Sequence, residues 1–427
     1  MADDLTARIH SIGEAARAAA RILATTSSES KNTALLAMAD SLLKEAPSIL
    51  AANNLDLEAG TKNRLSEAML DRLRLDEKRL TAMAIGIRTA ASLPDPVGRV
   101  LKEWTKENGL TFQKISVPIG VIGIIYESRP NVTSDAAVLC LKAGNAVILR
   151  GGSEAIHSNK AVAAALQAGA ARAGLPAAAI QLVPVTDREA VRILCEMEKH
   201  LDCIVPRGGK GLIEAVTRHA RMPVIKHYDG ICSIYVDKAA DLDMARDIIL
   251  NAKCQRPGVC NAAETLLLHR DIAAAFLADG GKALLDHGVE LRCDAASRSL
   301  LPAGLQNHAL IKEATEEDFR SEFLALILAV KVVESAEEAI IHIESHGSHH
   351  SDAIVTADTA TAEMFLQGVD SATVYWNAST RFTDGGEFGF GCEIGISTDK
   401  LHARGPMALE ELTSYKYQIR GTGQIRS

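Results

Sequence analysis

The residues best suited to covalent chemistry lie in one stretch, residues 251–264, which carries a cysteine on a predicted loop. Apolar residues at helical spacing in 243–250 predict a helix that leads into this stretch. Pro257-Gly258 must end that helix, because proline lacks an N–H and disfavours helix in the residue before it. Cys260 follows the break, and the apolar run 262–269 predicts a buried strand after it. The sequence therefore predicts a thiol on a tight loop between a helix and a core strand.

Cys260 on such a loop is well placed to attack a carbonyl carbon. The thiolate is the reactive form of cysteine, and nearby cations such as Lys253 and Arg256 would favour it. The alternative is a small buried apolar residue, which is the usual role of a free cysteine. The loop alone leaves both interpretations open, since local cysteine signatures do not transfer between families.

The composition is that of a globular protein with ample material for a core. The chain has 427 residues, of which 47% are hydrophobic and 23% are charged, and this length predicts about two to three domains. A net charge of −8 argues against a general nucleic-acid-binding surface. Small anionic ligands remain compatible with it, because they need only a local cluster of cations.

The cysteine pattern and the N-terminus indicate the compartment. The eight cysteines are scattered and none forms a Cys-x-x-Cys pair, which argues against a zinc site and fits a reducing compartment. The acidic N-terminus does not resemble a signal peptide. No apolar run approaches the about 20 residues that span a bilayer. We therefore expect a cytoplasmic enzyme that contacts neither membrane nor nucleic acid.

The order of predicted elements indicates an α/β fold. Residues 4–94 are predicted to be helical and 100–118 to form an extended hairpin. From Pro118 strands alternate with helices, as in a parallel, doubly wound sheet. A second α/β block follows residue 230, and 410–423 is a strand outside both blocks. Exposed strands of this kind usually pair with another subunit, so we expect two doubly wound α/β domains plus a small strand arm for oligomerisation.

The expected domain boundaries follow from these changes in predicted secondary structure. We expect 1–104 and 118–228, with part of 361–403, to form one domain, 229–360 to form the domain that carries Cys260, and 105–117 with 404–427 to form the arm. Two further predictions are a strand at 222–225 and a single helix over 272–285.

Two glycine-rich turns, Arg150-Gly-Gly-Ser153 and Pro206-Arg-Gly-Gly-Lys210, follow predicted strands. Open α/β sheets bind ligands at the carboxyl ends of their strands. Glycine permits close backbone approach and each turn adds a cation, as a phosphate site requires. Neither turn matches a standard nucleotide motif, so an ordinary turn is the alternative at each.

Four histidines, His342, His346, His349 and His350, are close in sequence. A metal site would need a closed ligand set with carboxylates nearby. Because Gly347 and Ser348 predict a loop there, we expect solvated or substrate-facing histidines and no metal site.

Four long strings of the sequence are similar to those of a known family. They are residues 118–131, 142–154, 255–264 and 404–416. Together with the order of the blocks, they resemble the aldehyde dehydrogenase superfamily, and most closely its γ-glutamyl phosphate reductase family. The resemblance covers nearly the whole chain.

The resemblance implies roles for individual residues. Cys260 matches the family's nucleophile. Asn131 matches the side-chain amide that, with the backbone N–H of Cys260, forms the oxyanion hole; a helix N-cap is its alternative role. Arg129, Arg256 and Arg381 are candidates for binding the departing phosphate or the substrate carboxylate, and surface ion pairing is the alternative for each.

The resemblance also implies a cofactor site. Arg150, Gly151, Gly152 and Ser153 match the segment that binds the adenosine side of the cofactor, and an arginine there suits a 2′-phosphate, which favours NADP(H). Gly208 and Gly209 fall near the family's pyrophosphate turn. Glu322 matches the carboxylate that holds the nicotinamide ribose.

Two positions depart from the wider superfamily. His227 stands where hydrolytic relatives carry a general-base glutamate, and a reductase of acyl phosphates needs no activated water. Leu324 stands where many relatives place an aromatic ring against the nicotinamide.

The implied activity is NADPH-dependent reduction of L-glutamate 5-phosphate to L-glutamate 5-semialdehyde through a Cys260 thioester, in proline biosynthesis. One alternative is oxidation of another semialdehyde to its acid. A non-enzymatic nucleotide-binding protein and a thiol hydrolase are further alternatives. The expected partners are copies of the same chain, as a dimer or tetramer, and a glutamate kinase that supplies the labile acyl phosphate.

Overall fold

The computed structural model describes residues 2–426, which divide into two compact units. The first unit comprises the chain up to Lys226 together with Gly389–Gly395 and the residues from Pro406 onward. The second unit comprises His227–Phe388 and Ile396–Gly405. Each unit contains a parallel sheet flanked by helices, which confirms the predicted α/β class.

The helices are α1 (Ala2–Leu23), α2 (Ser28–Lys44), α3 (Ala46–Lys62), α4 (Glu67–Leu73), α5 (Glu77–Ser92), α6 (Pro130–Lys142), α7 (Ile156–Arg172), α8 (Glu189–Cys195), α9 (Lys210–His219), α10 (Leu242–Cys254), α11 (Arg270–Phe276), α12 (Lys282–Asp286), α13 (Ala295–Leu300), α14 (Ala336–His346) and α15 (Thr359–Gly368).

The strands are β1 (Val100–Thr105), β2 (Thr111–Pro118), β3 (Val121–Tyr126), β4 (Ala146–Arg150), β5 (Ile180–Leu182), β6 (Cys203–Arg207), β7 (Cys232–Val236), β8 (Ala263–His269), β9 (Glu290–Cys293), β10 (Ile311–Glu313), β11 (Ile327–Val333), β12 (Ser351–Val355), β13 (Thr373–Trp376), β14 (Gly395–Ser397), β15 (Gly405–Met407) and β16 (Thr413–Arg420).

The N-terminal region is helical as predicted, from α1 to α5. The polar break after α1 ends at Ser27, whose side chain accepts a hydrogen bond from the backbone N–H of Ser30 and so caps α2. Ser66 and Asp76 cap α4 and α5 in the same way. These helices belong to the same unit as the four-stranded parallel sheet, whose strand order is β5-β4-β3-β6. The strands β3 and β4 are fully buried, as their continuous apolar sequences predict.

The predicted arm is a three-stranded antiparallel sheet in the order β1-β2-β16. The last strand pairs with β2 in continuous register, from Thr413 opposite Pro118 to Arg420 opposite Thr111. Its exposed apolar residues are Tyr415, Tyr417 and Ile419, each more than half exposed. The arm belongs to the first compact unit and is not a unit of its own.

The second unit is built on a seven-stranded parallel sheet in the order β10-β9-β11-β8-β7-β12-β13. Its central strand β8 is buried along its whole length, which confirms the strand predicted after Cys260. The unit extends beyond the expected boundary at residue 360, because β13 pairs with β12 and keeps the chain up to Phe388 with this sheet.

Two local predictions were wrong. Residues 222–225 do not form a strand; only a single bridge joins Val224 to Ile204. The predicted helix 272–285 is divided by a π-helical segment, Leu277–Gly281, between α11 and α12. Gly280 lies against the ring of Phe276, where a Cβ atom would be 2.6 Å from the ring, so the wider turn accommodates that ring.

The helices were compared with the requirements for crossing a membrane. Among the described residues, no helix combines the length and the apolar character needed to cross a bilayer.

Candidate active site

Cys260 lies on the turn that joins α10 to β8, as its sequence context predicts. The helix ends at Cys254, and Pro257-Gly258 turns the chain before β8 begins at Ala263. The side chain of Cys260 is half-buried. Gly230 passes so close that a Cβ atom there would lie 2.0 Å from the carbonyl oxygen of Cys260. The loop containing Gly230 therefore fixes the backbone of the turn, and only glycine fits at that position.

Lys253, one of the two cations expected near the thiol, forms a buried ion pair. Its side chain is fully buried, and its ammonium lies 2.5 Å from a carboxylate oxygen of Glu264 in β8. Burial raises the pKa of Glu264 to about 7, and the charge of Lys253 opposes that rise. The sequence alone does not identify this partner, and an effect of Lys253 on the Cys260 thiolate stays a prediction.

Arg381 places a positive charge within electrostatic range of the Cys260 thiol. Burial lowers the pKa of the Arg381 guanidinium, the charge of Arg256 lowers it further, and the Cys260 thiol acts in the opposite direction. Arg256 and Arg381 thus lie within electrostatic range of each other. Arg381 also donates hydrogen bonds to the side-chain oxygens of Gln255 and Asn261, which hold it on the Cys260 turn. Two of the three predicted substrate-binding arginines therefore lie in the same unit as Cys260.

Two imidazoles also lie beside the thiol. One nitrogen of His227, one nitrogen of His350 and Sγ of Cys260 are all within 4.8 Å of one another. Nδ1 of His227 is 2.9 Å from the carbonyl oxygen of Ile396, and Nδ1 of His350 is 2.8 Å from Oγ of Ser351. Burial lowers the pKa of His350 to about 3, so its ring is neutral at neutral pH.

The histidine cluster predicted from sequence separates in the structure. His342 and His350 are buried, so neither is a solvated histidine, and a substrate-facing role of His350 stays a prediction. His342 stacks on His346 at 4.2 Å, and His349 lies against the carbonyl oxygen of Asp370. Of the four, only His350 joins the group around Cys260. His350 directly precedes β12, which pairs with β7 beside β8, so the contact depends on strand order and has no local signal in the sequence.

Glu322 and Leu324 lie on the segment before β11. A carboxylate oxygen of Glu322 accepts the backbone N–H of Gly230 at 3.0 Å, and burial raises the pKa of Glu322. Leu324 is about half exposed and has a φ angle of 53°, which is unusual for a non-glycine residue. Its backbone N–H donates to Glu264 at 3.3 Å. The buried Glu264 therefore links β8 to the segment that carries Glu322.

In the first unit, Asn131 lies in the first turn of α6. The N-cap of this helix is Arg129 and the helix begins at Pro130, so the alternative role of Asn131 as an N-cap was wrong. The Asn131 side chain is exposed and donates to Asp135 at 3.0 Å. Arg129 is also exposed.

Arg150 ends β4, and its guanidinium is largely buried. It donates to the carbonyl oxygens of Gly151 at 3.1 Å and Thr186 at 3.0 Å. Burial lowers the pKa of Arg150, and the charge of Glu154 opposes this shift. The side chain thus holds the turn 151–153 against the loop before α8. The charge of Arg188 also acts on Arg150, and Arg188 is an exposed cation that sequence analysis did not single out.

The glycines of the two turns differ in their surroundings. A Cβ atom at Gly151 would clash with Asn159 at 2.1 Å, one at Gly152 would meet Glu154 at 2.8 Å, and one at Gly208 would meet Glu127 at 2.6 Å. Gly209 has nothing nearer than 3.9 Å and precedes the first residue of α9. Ser153 is exposed. Gly151 is thus closely packed, the neighbours of Gly152 and Gly208 are flexible glutamate side chains, and Gly209 leaves open space at a helix N-terminus.

Comparison with known proteins identifies the family. The model of the aldehyde dehydrogenase family matches residues 2–291. The chain is 54% identical to the gamma-glutamyl phosphate reductase of Opitutus terrae over the full length of both chains. It is 56% identical to that of Moorella thermoacetica, over 97% of each chain. The chain belongs to the aldehyde dehydrogenase family, and within it to the gamma-glutamyl phosphate reductases.

Membership of the aldehyde dehydrogenase family agrees with the three-dimensional fold. The crystal structure of gamma-glutamyl phosphate reductase from Thermotoga maritima superposes with a TM-score of 0.95 at 43% identity, over 98% of this chain and 100% of that one. This gamma-glutamyl phosphate reductase family member is therefore an oxidoreductase that uses a nicotinamide cofactor. The resemblance identified from the four sequence strings is confirmed.

Proposed function

We propose that the protein reduces L-glutamate 5-phosphate to L-glutamate 5-semialdehyde with NADPH, releasing phosphate, as a step of proline biosynthesis. The name gamma-glutamyl phosphate reductase, carried by relatives at 54% and 56% identity, supports this substrate. The observation that carries the proposal is a half-buried thiol, Cys260, within electrostatic range of a guanidinium, Arg381. An acyl phosphate suits such a site, because the thiol can attack its carbonyl carbon and the guanidinium can bind its anionic leaving group.

Cys260 is the nucleophile of the proposed reaction. Its thiolate attacks the acyl carbon, a carbon–sulfur bond forms, and the bond from that carbon to the phosphate oxygen breaks. Arg256 and Arg381 favour the thiolate and the departing phosphate, because a guanidinium binds phosphate through paired hydrogen bonds. Arg129 is a further candidate for the phosphate or the substrate carboxylate.

The oxyanion that forms at the acyl carbon needs hydrogen-bond donors. We assign this role to the side-chain amide of Asn131 and the backbone N–H of Cys260. The exposure of Asn131 in the first turn of α6 supports its availability to a substrate. Losing one such donor typically lowers kcat by roughly 10²–10³.

The first unit is the proposed NADP(H)-binding domain, and the second is the proposed catalytic domain. Gly209 fits a nucleotide pyrophosphate, because it leaves open space at the start of α9 and, within the described chain, no side chain caps that helix. The segment from Arg150 to Ser153, with Gly208, would border the adenosine half. Glu322 would hold the nicotinamide ribose, and Gly230 already orients its carboxylate.

The proposed reaction balances with one reduced cofactor and one proton. When bound, the reduced nicotinamide supplies the hydride that takes the thioester to the aldehyde level. Cys260 then leaves as a thiolate when the carbonyl reforms. The products are the semialdehyde, phosphate and the oxidised cofactor.

The arm is proposed to pair with a second copy of the chain, giving a dimer or tetramer. The exposed tyrosines of β16 support this pairing. An exposed strand of this kind is normally covered by another part of the chain or by another subunit. A cytoplasmic location is proposed from the scattered free cysteines, and contact with a glutamate kinase is proposed from the lability of the acyl phosphate.

The reaction run backwards tests the proposed function. Semialdehyde and NADP⁺ are mixed with and without phosphate, and the absorbance of reduced cofactor is followed. We expect strict dependence on phosphate, and no reduced cofactor with the Cys260→Ser variant. Appreciable turnover by Cys260→Ser would refute the covalent route.

The alternative function is oxidation of a semialdehyde to its acid, which requires a base for the attacking water. The imidazole of His227 beside Cys260 is the observation that favours it. Formation of reduced cofactor without phosphate, together with release of the acid, would support this alternative and exclude the reductase.

A further inference from the structure

We propose that Cys260, His227 and His350 form a binding site for a zinc-like divalent cation, and that a bound ion blocks the nucleophile. The donor atoms of these three residues lie within 4.8 Å of one another. They come from three different segments of the second unit: the residue that opens the unit, the turn before β8 and the residue before β12. The site was not expected from sequence, because the three residues share no local motif.

The donor set matches one class of cation. Thiolate and imidazole are the ligands that zinc selects, whereas magnesium and calcium require oxygen. Zn–N and Zn–S bonds of about 2.0–2.3 Å place tetrahedral donors roughly 3.5 Å apart. Modest side-chain rotations would therefore bring the three donors onto one ion. Three protein ligands leave a fourth position open, as in zinc sites that retain a water or an anion.

The two imidazoles are already oriented as ligating histidines are. A metal-binding histidine usually gives its second ring nitrogen to a carbonyl or another acceptor, which fixes the ring. Nδ1 of His227 is held by the carbonyl oxygen of Ile396, and Nδ1 of His350 by Oγ of Ser351. Ser351 is in turn hydrogen-bonded to Thr383 at 2.8 Å. In His350 this arrangement leaves Nε2 as the donor to an ion, and in His227 it fixes the plane of the ring beside the thiol.

His350 provides an independent sign of a ligand. Its side chain is completely buried, and its Nε2 has no hydrogen-bond partner among the described residues. A buried polar atom without a partner is costly, and native structures rarely contain one without a reason. Coordination of a cation would satisfy this nitrogen. It would also occupy the sulfur lone pairs of Cys260 and stop the attack on substrate.

Metal titration of the full-length protein without substrate tests the site. Cadmium is the first probe, because its bond to a thiolate gives an ultraviolet charge-transfer band; zinc is then measured by competition. We expect one equivalent to bind. The band should disappear in Cys260→Ser, and the affinity should fall by roughly 100-fold or more in His350→Gln and in His227→Gln, since even outer-shell changes cost 10–100-fold.

Cys254→Ser is the matched control, because Cys254 is also half-buried and lies six residues before Cys260. This variant should bind cadmium as the unmodified protein does. Loss of the band in Cys254→Ser, or unchanged affinity in both histidine variants, would overturn the site. His227 is only half-buried, so its variant decides the question if His350→Gln does not fold.

Alkylation gives a second readout that does not depend on activity. One equivalent of zinc should slow iodoacetamide labelling of Cys260, followed by peptide mass spectrometry, by at least tenfold, and a chelator should restore the rate. Unchanged labelling would contradict blockage of the nucleophile. The site does not rest on the proposed substrate, since binding and labelling are measured without it.

Discussion

The guanidinium of Arg381 donates a hydrogen bond to the side-chain oxygen of Asn261, the residue that follows Cys260. The amide of Asn261 donates in return to the carbonyl oxygen of Thr383 at 2.9 Å, and Oγ1 of Thr380 donates to the backbone oxygen of Asn261 at 2.8 Å. The segment 380–383 therefore holds the turn that carries Cys260 through hydrogen bonds to Asn261. Arg381 combines this structural role with a charge close to the thiol.

Replacing Arg381 by lysine keeps the charge but removes the planar set of donors. A hydrogen bond to a charged group contributes about 1.5–3 kcal/mol, so kcat/KM should fall roughly 10- to 100-fold in Arg381→Lys. Steady-state kinetics of the reductase measure this change. Arg270→Lys, at an exposed ion pair with Glu334, is the control and should change kcat/KM little. Equal kinetics for Arg381→Lys and the unmodified protein would contradict the role of Arg381.

Breaking the buried pair of Lys253 and Glu264 should destabilise the second unit. Lys253→Met leaves a buried carboxylate without its partner, and the free energy of unfolding should fall by about 3–5 kcal/mol. The double change Lys253→Met with Glu264→Gln removes both charges and keeps an acceptor for the N–H of Leu324. Urea unfolding at neutral pH should show the double variant to be the more stable of the two.

The control for the buried pair is Arg270→Met, because an exposed ion pair contributes at most about 1 kcal/mol. If Lys253→Met were no less stable than Arg270→Met, the pair would not hold β8 as described.

Two glycines within helices should respond to alanine in opposite directions. At Gly169, in α7, a Cβ atom would lie 2.5 Å from Cα of Met38 in α2, so Gly169→Ala should cost about 1–3 kcal/mol or more. At Gly86, in α5, nothing lies within 4 Å, and alanine should stabilise the helix by up to about 1 kcal/mol. Thermal and urea unfolding measure both. Two changes of the same sign would show that the α2–α7 contact is not as close as described.

His342 should make the protein less stable in mild acid. Burial lowers its pKa to about 3, against about 6.5 in an unfolded chain. Between these values the unfolded state binds the extra proton, so the contribution of His342 is complete above pH 6.5 and is lost as the pH falls. Its Nε2 has no partner among the described side chains, so phenylalanine is a suitable replacement.

From pH 7.5 to pH 5.5 the free energy of unfolding of the unmodified protein should drop by about 1.4 kcal/mol relative to His342→Phe. Urea unfolding at the two pH values gives this difference. His287→Gln, at an exposed histidine, should show no such change. A constant difference between the unmodified protein and His342→Phe would mean that His342 titrates normally.

Hydrophobic periodicity and turn residues were sufficient to predict most of the helices and strands. The apolar run before His269 and the break at Pro257 predicted β8 and the end of α10, because burial on both faces and the missing N–H act locally. The same local arguments failed at 222–225, where an apolar string forms a single bridge. Whether a short apolar string joins a sheet depends on a neighbouring strand, which lies elsewhere in the sequence.

The site was predictable only in part for the same reason. The place of Cys260 on a turn between a helix and a strand could be predicted from its own loop, but the partner of Lys253 and the position of His350 depend on the packing of β8 and on the strand order of the sheet. Arg150 had the right residue type for a phosphate. Its guanidinium also donates to backbone carbonyls of its own unit, a structural role that charge and spacing do not reveal.

The pairing of β16 with β2 has a consequence for synthesis of the chain on the ribosome. Roughly 300 residues separate the two strands, and translation at about 5–20 residues per second needs about 15–60 s to cover that distance. During this interval the edge of β2 that pairs with β16 has no partner strand. A nascent chain is thus exposed to mispairing with its neighbours on the same messenger, and a chaperone that shields β2 should raise the yield of folded protein.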